Sequence, residues 1–159
     1  MRHDILPAEL ADASEILELQ RRAYQSEARL YNDWSLPPLT QTLGELEREF
    51  ETLRILKAVR RERPDRIVGS VRAGLDGNIC RVGRLIVHPD HQRQGLGTAL
   101  LLAAEALFPQ AARFSLFTGA RSEGNLRLYA RLGYRETERR AVRPALTLVF
   151  LEKSGPDPA

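Results

Sequence analysis

The stretch Leu85-Ile86-Val87-His88-Pro89-Asp90-His91-Gln92-Arg93-Gln94-Gly95-Leu96-Gly97-Thr98 decides how this chain is read. A β-branched run ends at Val87, Pro89 stops it, a loop with two glycines follows, and residues 98–108, TALLLAAEALF, open a helix. Leu and Ala occupy nearly every face of that helix, which predicts burial against a sheet. A strand–loop–helix junction presents unpaired backbone N–H groups at the positive end of a helix dipole. Gly95 and Gly97 admit unusual dihedrals and let a phosphate approach the backbone closely; on the plainer reading they only shape a turn. The segment is an anion cradle suited to a pyrophosphate. It is not a P-loop, because Thr98 follows Gly97 with no Lys. Nor is it the dinucleotide fingerprint, because Leu100 stands where a third Gly or Ala belongs.

Working outward, Ile79–Val87 reads as the third strand of a meander. Its other strands are residues 55–59 and 66–75, separated by the turn RERPDR and closed by the tight turn Asp76-Gly77-Asn78. Upstream, RHDIL is a strand ended by Pro7. Residues 8–30 carry a helical period, YNDWSLPPLTQT breaks it, and residues 41–53 form a second helix. Downstream come a strand at 114–118, a helix at 122–132 capped by Gly133, and strands at 134–138 and 142–151. The order is β-α-α-β-β-β-α-β-α-β-β. It predicts one α/β domain over residues 1–151, a mixed, mostly antiparallel twisted sheet with helices on both faces, and a flexible tail at 152–159.

With 159 residues, 43% of them hydrophobic and 28% charged, the chain suits a single soluble core and excludes wholesale disorder. No stretch approaches the roughly 20 apolar residues of a membrane helix, and MRHDILPAEL lacks the apolar segment of a signal peptide, so a cytoplasmic location without membrane contact is expected. One cysteine, Cys80, and three histidines make an internal disulfide impossible and a metal site unexpected. The net charge of +3 divides unevenly: residues 1–53 carry 11 acids and five bases, residues 54–159 ten acids and 19 bases. That asymmetry suggests two surfaces for two ligands of opposite charge. Arg139, Arg140 and Arg143 lack the interleaved aromatics of a nucleic-acid reader, and no nucleic acid is expected.

Gln92-x-x-Gly95-x-Gly97 after a strand ending Val-x-Pro resembles the acetyl-CoA loop of the GNAT superfamily of N-acetyltransferases. A second segment agrees: Asn125, Tyr129, Gly133 and Tyr134 look like the family's Asn-x-x-x-Tyr-x-x-x-Gly-Tyr/Phe helix. The resemblance implies that the strand ending at Val87 splays away from the strand 114–118, opening a slot for the pantetheine arm. It assigns the main chain of Leu85, Ile86 and Val87 to that arm, with the Leu85 N–H near the thioester carbonyl as an oxyanion donor. It assigns Gln92, Arg93, Gln94, Gly95, Leu96, Gly97 and Thr98 to the pyrophosphate, Asn125 to pantetheine, and Tyr129 to protonation of the departing thiolate. Acetyl-CoA is then the co-substrate, with no metal, and the acceptor a primary amine of a small molecule or peptide attacking directly. Dimers are frequent in the family, so a homodimer is compatible with the resemblance.

The chain departs from the family at the base. Several members carry a carboxylate or histidine on the splayed strand, whereas here its polar residues are Arg81 and Arg84. The expected substitutes lie between the first two helices, where the family covers its acceptor slot: Glu27, Tyr31, Asn32, Asp33 and Trp34. Tyr31 and Trp34 are candidates for an aromatic wall around a cation; Asp33 and Glu27 are candidates for an ammonium partner. The missing strand carboxylate leaves an alternative, a non-catalytic acetyl-CoA sensor of the same fold.

Overall fold

The computed structural model describes residues 3–156. Within them seven strands form one sheet: β1 (His3–Pro7), β2 (Arg54–Arg60), β3 (Arg63–Asp76), β4 (Ile79–Val87), β5 (Arg113–Gly119), β6 (Arg135–Arg143) and β7 (Leu146–Ser154), in the spatial order β1-β2-β3-β4-β5-β7-β6. Every neighbouring pair is antiparallel except β4 and β5, which run parallel. Six α-helices accompany the sheet: α1 (Ala13–Ala23), α2 (Gln25–Tyr31), α3 (Pro37–Thr40), α4 (Leu43–Thr52), α5 (Leu96–Ala106) and α6 (Glu123–Arg131).

Helices cover both faces. On one, α1 and α4 bury Ile16, Leu17 and Leu46 against Ile55, Val59, Ile67 and Ile86. On the other, α5 and α6 bring Leu100, Leu101, Ala104 and Tyr129 onto Val68, Val71, Val82, Phe114 and Leu116. A buried polar knot fastens the first layer. The Arg72 guanidinium donates to Gln20 Oε1 (2.5 Å) and Glu49 Oε1 (3.1 Å), and Gln20 Nε2 donates to the Pro38 carbonyl (2.8 Å). This knot ties α1, the turn of α3 and α4 to the centre of β3, with the burial cost of the guanidinium offset by charge-assisted bonds.

Several expectations are corrected. The helix over residues 8–30 is interrupted at Tyr24, whose ψ of 0° ends α1, although its N–H still reaches Gln20 O and its carbonyl receives the Ala28 N–H. Pro37 and Pro38 do not merely break a helix but begin α3, where their missing N–H groups would be unpaired anyway. The second long helix starts at Leu43 behind a Thr42–Glu45 capping box. Most of RERPDR is strand: Arg60 pairs with Arg63 and Val59 with Ile67, so Pro64 lies in a bulge that needs no ladder N–H. Val142 belongs to β6, whose residues are all exposed and so carry no alternation. Helix α5 is not buried on every side, since Leu102 is 44% exposed. Strand β7 continues to Ser154, three residues into the expected tail, and residues 157–159 lie outside the described chain.

Candidate active site

The site begins where the sheet comes apart. Strands β4 and β5 pair only at Ile79↔Arg113, Cys80↔Phe114 and Arg81↔Ser115; beyond these the ladder stops and residues 82–87 have a free edge. Just there β4 is irregular. Ser70 faces Ile86 but Arg72 faces Gly83, so Arg84 and Leu85 together oppose Val71, and Arg84 takes the left-handed region at φ 50°. Such a bulge bends a strand and re-aims its side chains. The His88 N–H donates to Val68 O across the β3 side (2.8 Å). Alternation from that bond turns the Val87 and Leu85 N–H groups toward the open side.

Two cavities occupy the opening. The first, about 500 Å³, runs along Ile86, Val87 and the loop residues His91, Gln92, Arg93, Gly95, Leu96, Gly97 and Thr98 to α6. Arg93 at φ 62° and Gly95 at φ 78° curl this loop so that α5 starts with its N-terminus open to the cavity, a conformation that suits glycine at 95. The second, about 550 Å³, is bounded by α2, the Leu36–Pro38 segment, β4, β5 and the Val142–Leu148 turn region. Tyr24, Glu27, Leu85 and Asn125 line both cavities and mark their junction.

The junction is rigidly braced. Ser122 Oγ donates to Glu27 Oε2 (2.7 Å), and the Tyr31 hydroxyl, which accepts from the Arg121 N–H (3.0 Å), lies 2.8 Å from the same Oγ. Because the Ser122 proton is spent on Glu27, Tyr31 is the donor to Ser122. The relay Arg121 N–H, Tyr31, Ser122, Glu27 therefore fixes one carboxylate at the meeting point. Asn125 Nδ2 donates to Thr118 Oγ1 (3.1 Å) and holds the start of α6 on β5. Tyr129, buried on the same helix, lines the second cavity, and burial together with Tyr24 and Glu27 pushes its phenol above the ordinary range.

Residues 54–136 match the profile described as an acetyltransferase (GNAT) domain, which covers more than half of the chain. The chain belongs to the GNAT acetyltransferase family. Solved structures repeat the fold of this GNAT domain along its whole length. The PaiA N-acetyltransferase of Thermoplasma acidophilum, in complex with coenzyme A, superimposes with a TM-score of 0.80 at 15% identity over 97% of this chain and 99% of that one. The ribosomal-protein-S18-alanine N-acetyltransferase of Escherichia coli gives 0.79 at 17% identity over 99% and 96%. The putative acetyltransferase YncA of Salmonella typhimurium, with acetyl-CoA, gives 0.76 at 21% identity over 100% and 97%. No curated protein matches the sequence.

Within the GNAT frame, the positions expected from sequence fall into three groups. Leu85, Ile86, Val87, Gln92, Arg93, Gly95, Leu96, Gly97, Thr98 and Asn125 gather around the first cavity; of the loop positions expected there, Gln94 does not line it. Tyr129, Tyr31 and Glu27 face the second. Asn32, Asp33 and Trp34 line neither. Asn32 is the left-handed C-cap of α2 at φ 49°. Asp33 accepts from the Ser35 N–H, the Ser35 hydroxyl and Arg143 (2.8 Å), bonds that hold its carboxyl below the usual range and leave it committed. Trp34 is 55% exposed, so the aromatic wall expected of Tyr31 and Trp34 is not assembled. Sequence reading missed Tyr24, Ser122 and Arg84. Tyr24 was hidden in the apolar period of the first helix, and Ser122 stood only as the first residue of the helix at 122–132. Arg84 was dismissed as unable to serve as a base. Among the described residues no three His, Cys, Asp or Glu are grouped to hold a metal, and no helix is long and apolar enough to cross a membrane.

Proposed function

We propose that this acetyltransferase moves an acetyl group from acetyl-CoA to a primary amine of a small molecule or peptide by direct attack. The observation that carries the reading is the pair of cavities meeting at Tyr24, Glu27, Leu85 and Asn125 on the free edge of β4. The first cavity fits a pantetheine and pyrophosphate chain: it offers an unpaired strand edge, a curled glycine loop and an open helix N-terminus. Acetyl-CoA supplies the activated thioester; the protein does the rest. The Leu85 N–H donates to the carbonyl oxygen as negative charge grows there. The N–H groups from Arg93 to Thr98, with the Arg93 side chain, bind the phosphates, and Asn125 orients the arm. Glu27, held by Ser122, removes the amine proton, the role for which β4 offers only arginines. Tyr129, kept protonated by burial, gives its proton to the leaving thiolate. Cys80 is buried within the paired part of β4 and its thiol is pushed up to about 11, so it is no nucleophile in this scheme.

The test is thiol release from acetyl-CoA across amines, polyamines, amino acids and peptides. Acetylation of at least one amine class without an acetylated enzyme is expected. Tight acetyl-CoA binding with no amine consumed would refute the reading in favour of a sensor.

A further inference from the structure

We propose that the second cavity selects an acceptor bearing a carboxylate beside its amine and an apolar body, an amino-acid-like zwitterion, with Arg84 as the carboxylate's partner. This rests on the reading of that cavity as the acceptor site.

Arg84 lines the cavity, and among the described residues its side chain has no hydrogen-bond or ion-pair partner. Its Nε is shut off from solvent with no acceptor. The other arginine of the wall, Arg143, is paired with Asp33 and Ser35. Arg72 beneath is matched by Glu49 and Gln20. A half-buried guanidinium without a counter-charge is unfavourable in a folded chain, and the cost is removed when a ligand brings the anion. The backbone points the same way. Arg84 occupies a left-handed conformation that L residues avoid, at the bulge that delivers both it and Leu85 to the opening, and strain of this kind collects at ligand-binding positions.

The charge balance of the wall is the opposite of what the acidic first 53 residues suggest. Of their 11 acids only Glu27 reaches either cavity. Glu27 stands at the junction, where an amine must meet the thioester, and Arg84 stands on β4 one residue before the Leu85 N–H. Much of the remaining wall is hydrocarbon, from Leu36, Val82, Leu116, Leu146 and Leu148, with the tyrosines, Thr118 and the paired Arg143 beside them. One carboxylate, one free guanidinium and an apolar surround match the ammonium, carboxylate and side chain of an apolar amino acid. A guanidinium grips a carboxylate through two parallel N–H bonds, so geometry as well as charge is selected. An amine lacking the carboxylate would leave Arg84 half-buried and unpaired, which is how a polar site rejects such an analogue.

The experiment compares kcat/KM for leucine, methionine and phenylalanine, each against its primary amide and its decarboxylated amine. The best acid is expected to exceed its amide and amine by about 10- to 100-fold. The amide's amine loses its proton more readily, so this preference runs against intrinsic reactivity. Arg84→Met should shrink the ratio toward one, and Arg84→Lys should retain part of it, while calorimetry with acetyl-CoA verifies that each variant is folded. If Arg84→Met fails to fold, the wild-type ratio and Arg84→Lys still decide. Equal rates for the three forms, or a ratio that Arg84→Met leaves untouched, would overturn this proposal alone. Silence toward every amine would overturn the acceptor reading and this proposal with it.

Discussion

Replacing Gly119 by alanine tests the brace at the junction with a perturbation of a single methyl group. Gly119 ends β5, and a Cβ built on it would lie 2.0 Å from the Tyr31 hydroxyl, 2.4 Å from Cζ and 3.0 Å from Cε2. The ring is 3% exposed and cannot swing into solvent without leaving its cluster with Leu36 and Leu146. Overpacking of this kind costs about 1–3 kcal/mol. Displacing the hydroxyl also loses its bonds to the Arg121 N–H and Ser122, about 1 kcal/mol each. The total is about 3–5 kcal/mol, and at about 2–4 °C per kcal/mol for a chain of this size the melting point should fall by roughly 10 °C. Urea denaturation and calorimetry measure it. In a Tyr31→Ala background the obstacle is gone, so Gly119→Ala should add about 1 kcal/mol or less, a strong negative coupling in the cycle. A single substitution costing under about 1 kcal/mol, or costs that simply add, would refute the account of the relay that positions Glu27.

Glu27→Gln should lower kcat/KM by about 100-fold or more with acetyl-CoA affinity held, because it removes the proton acceptor but not the donor cavity; unchanged kcat/KM would remove Glu27 from the chemistry. Tyr129→Phe should lower kcat by about 100-fold or more and leave acetyl-CoA binding intact. Burial raises this phenol above its reference value of 10.0, so the acid form persists past that pH. An alkaline loss of activity below about pH 10 that disappears in Tyr129→Phe would contradict the assignment. Burial also lifts the Cys80 thiol from 9.0 to about 11. The folded state then keeps a proton that the unfolded chain releases, so this contribution to stability is complete below about pH 9 and lost as pH rises through 11. It amounts to about 2–3 kcal/mol. Chemical denaturation at pH 8 and pH 11 should show a smaller decline in Cys80→Ala than in the natural chain, and equal declines would refute it.

The segment from Leu85 to Thr98 was legible because each of its requirements is local. A strand must stop, a loop must curl and a helix must open, and Pro89, Gly95 and the Leu-Ala run state all three between residues 85 and 108. The Asn125–Tyr129 spacing is likewise one helix seen from its own period, with Gly133 and Tyr134 just past its end. Strand β6 was misjudged because it is an edge with every residue exposed, so no burial imposes alternation on RETERRAVR. The acceptor cavity was read poorly for a different reason. Its parts come from α2, the Leu36–Pro38 segment, β4, β5 and the Val142–Leu148 region, and their meeting is a property of tertiary packing. Asp33 looked available until Arg143, 110 residues away, was seen to occupy it. Arg84 looked irrelevant because its meaning lies in what it lacks, a partner, which only the folded arrangement reveals. Ser122 gained its role through a hydroxyl 91 residues earlier in the chain.

Strands β4 and β5 lie in the middle of the sheet, where amide hydrogens ordinarily exchange slowest. Their three shared pairs make them an exception. The Leu85 and Val87 amides face no strand, so in the free protein they should trade hydrogen for deuterium as quickly as those of an outer strand. The Ile86 amide, turned toward β3, should resist. A ligand seated in the slot supplies the missing neighbour and should erase the contrast by slowing Leu85 and Val87 to the pace of Ile86. Deuterium uptake along residues 82–88 thus reports occupancy at single-residue spacing, independent of turnover.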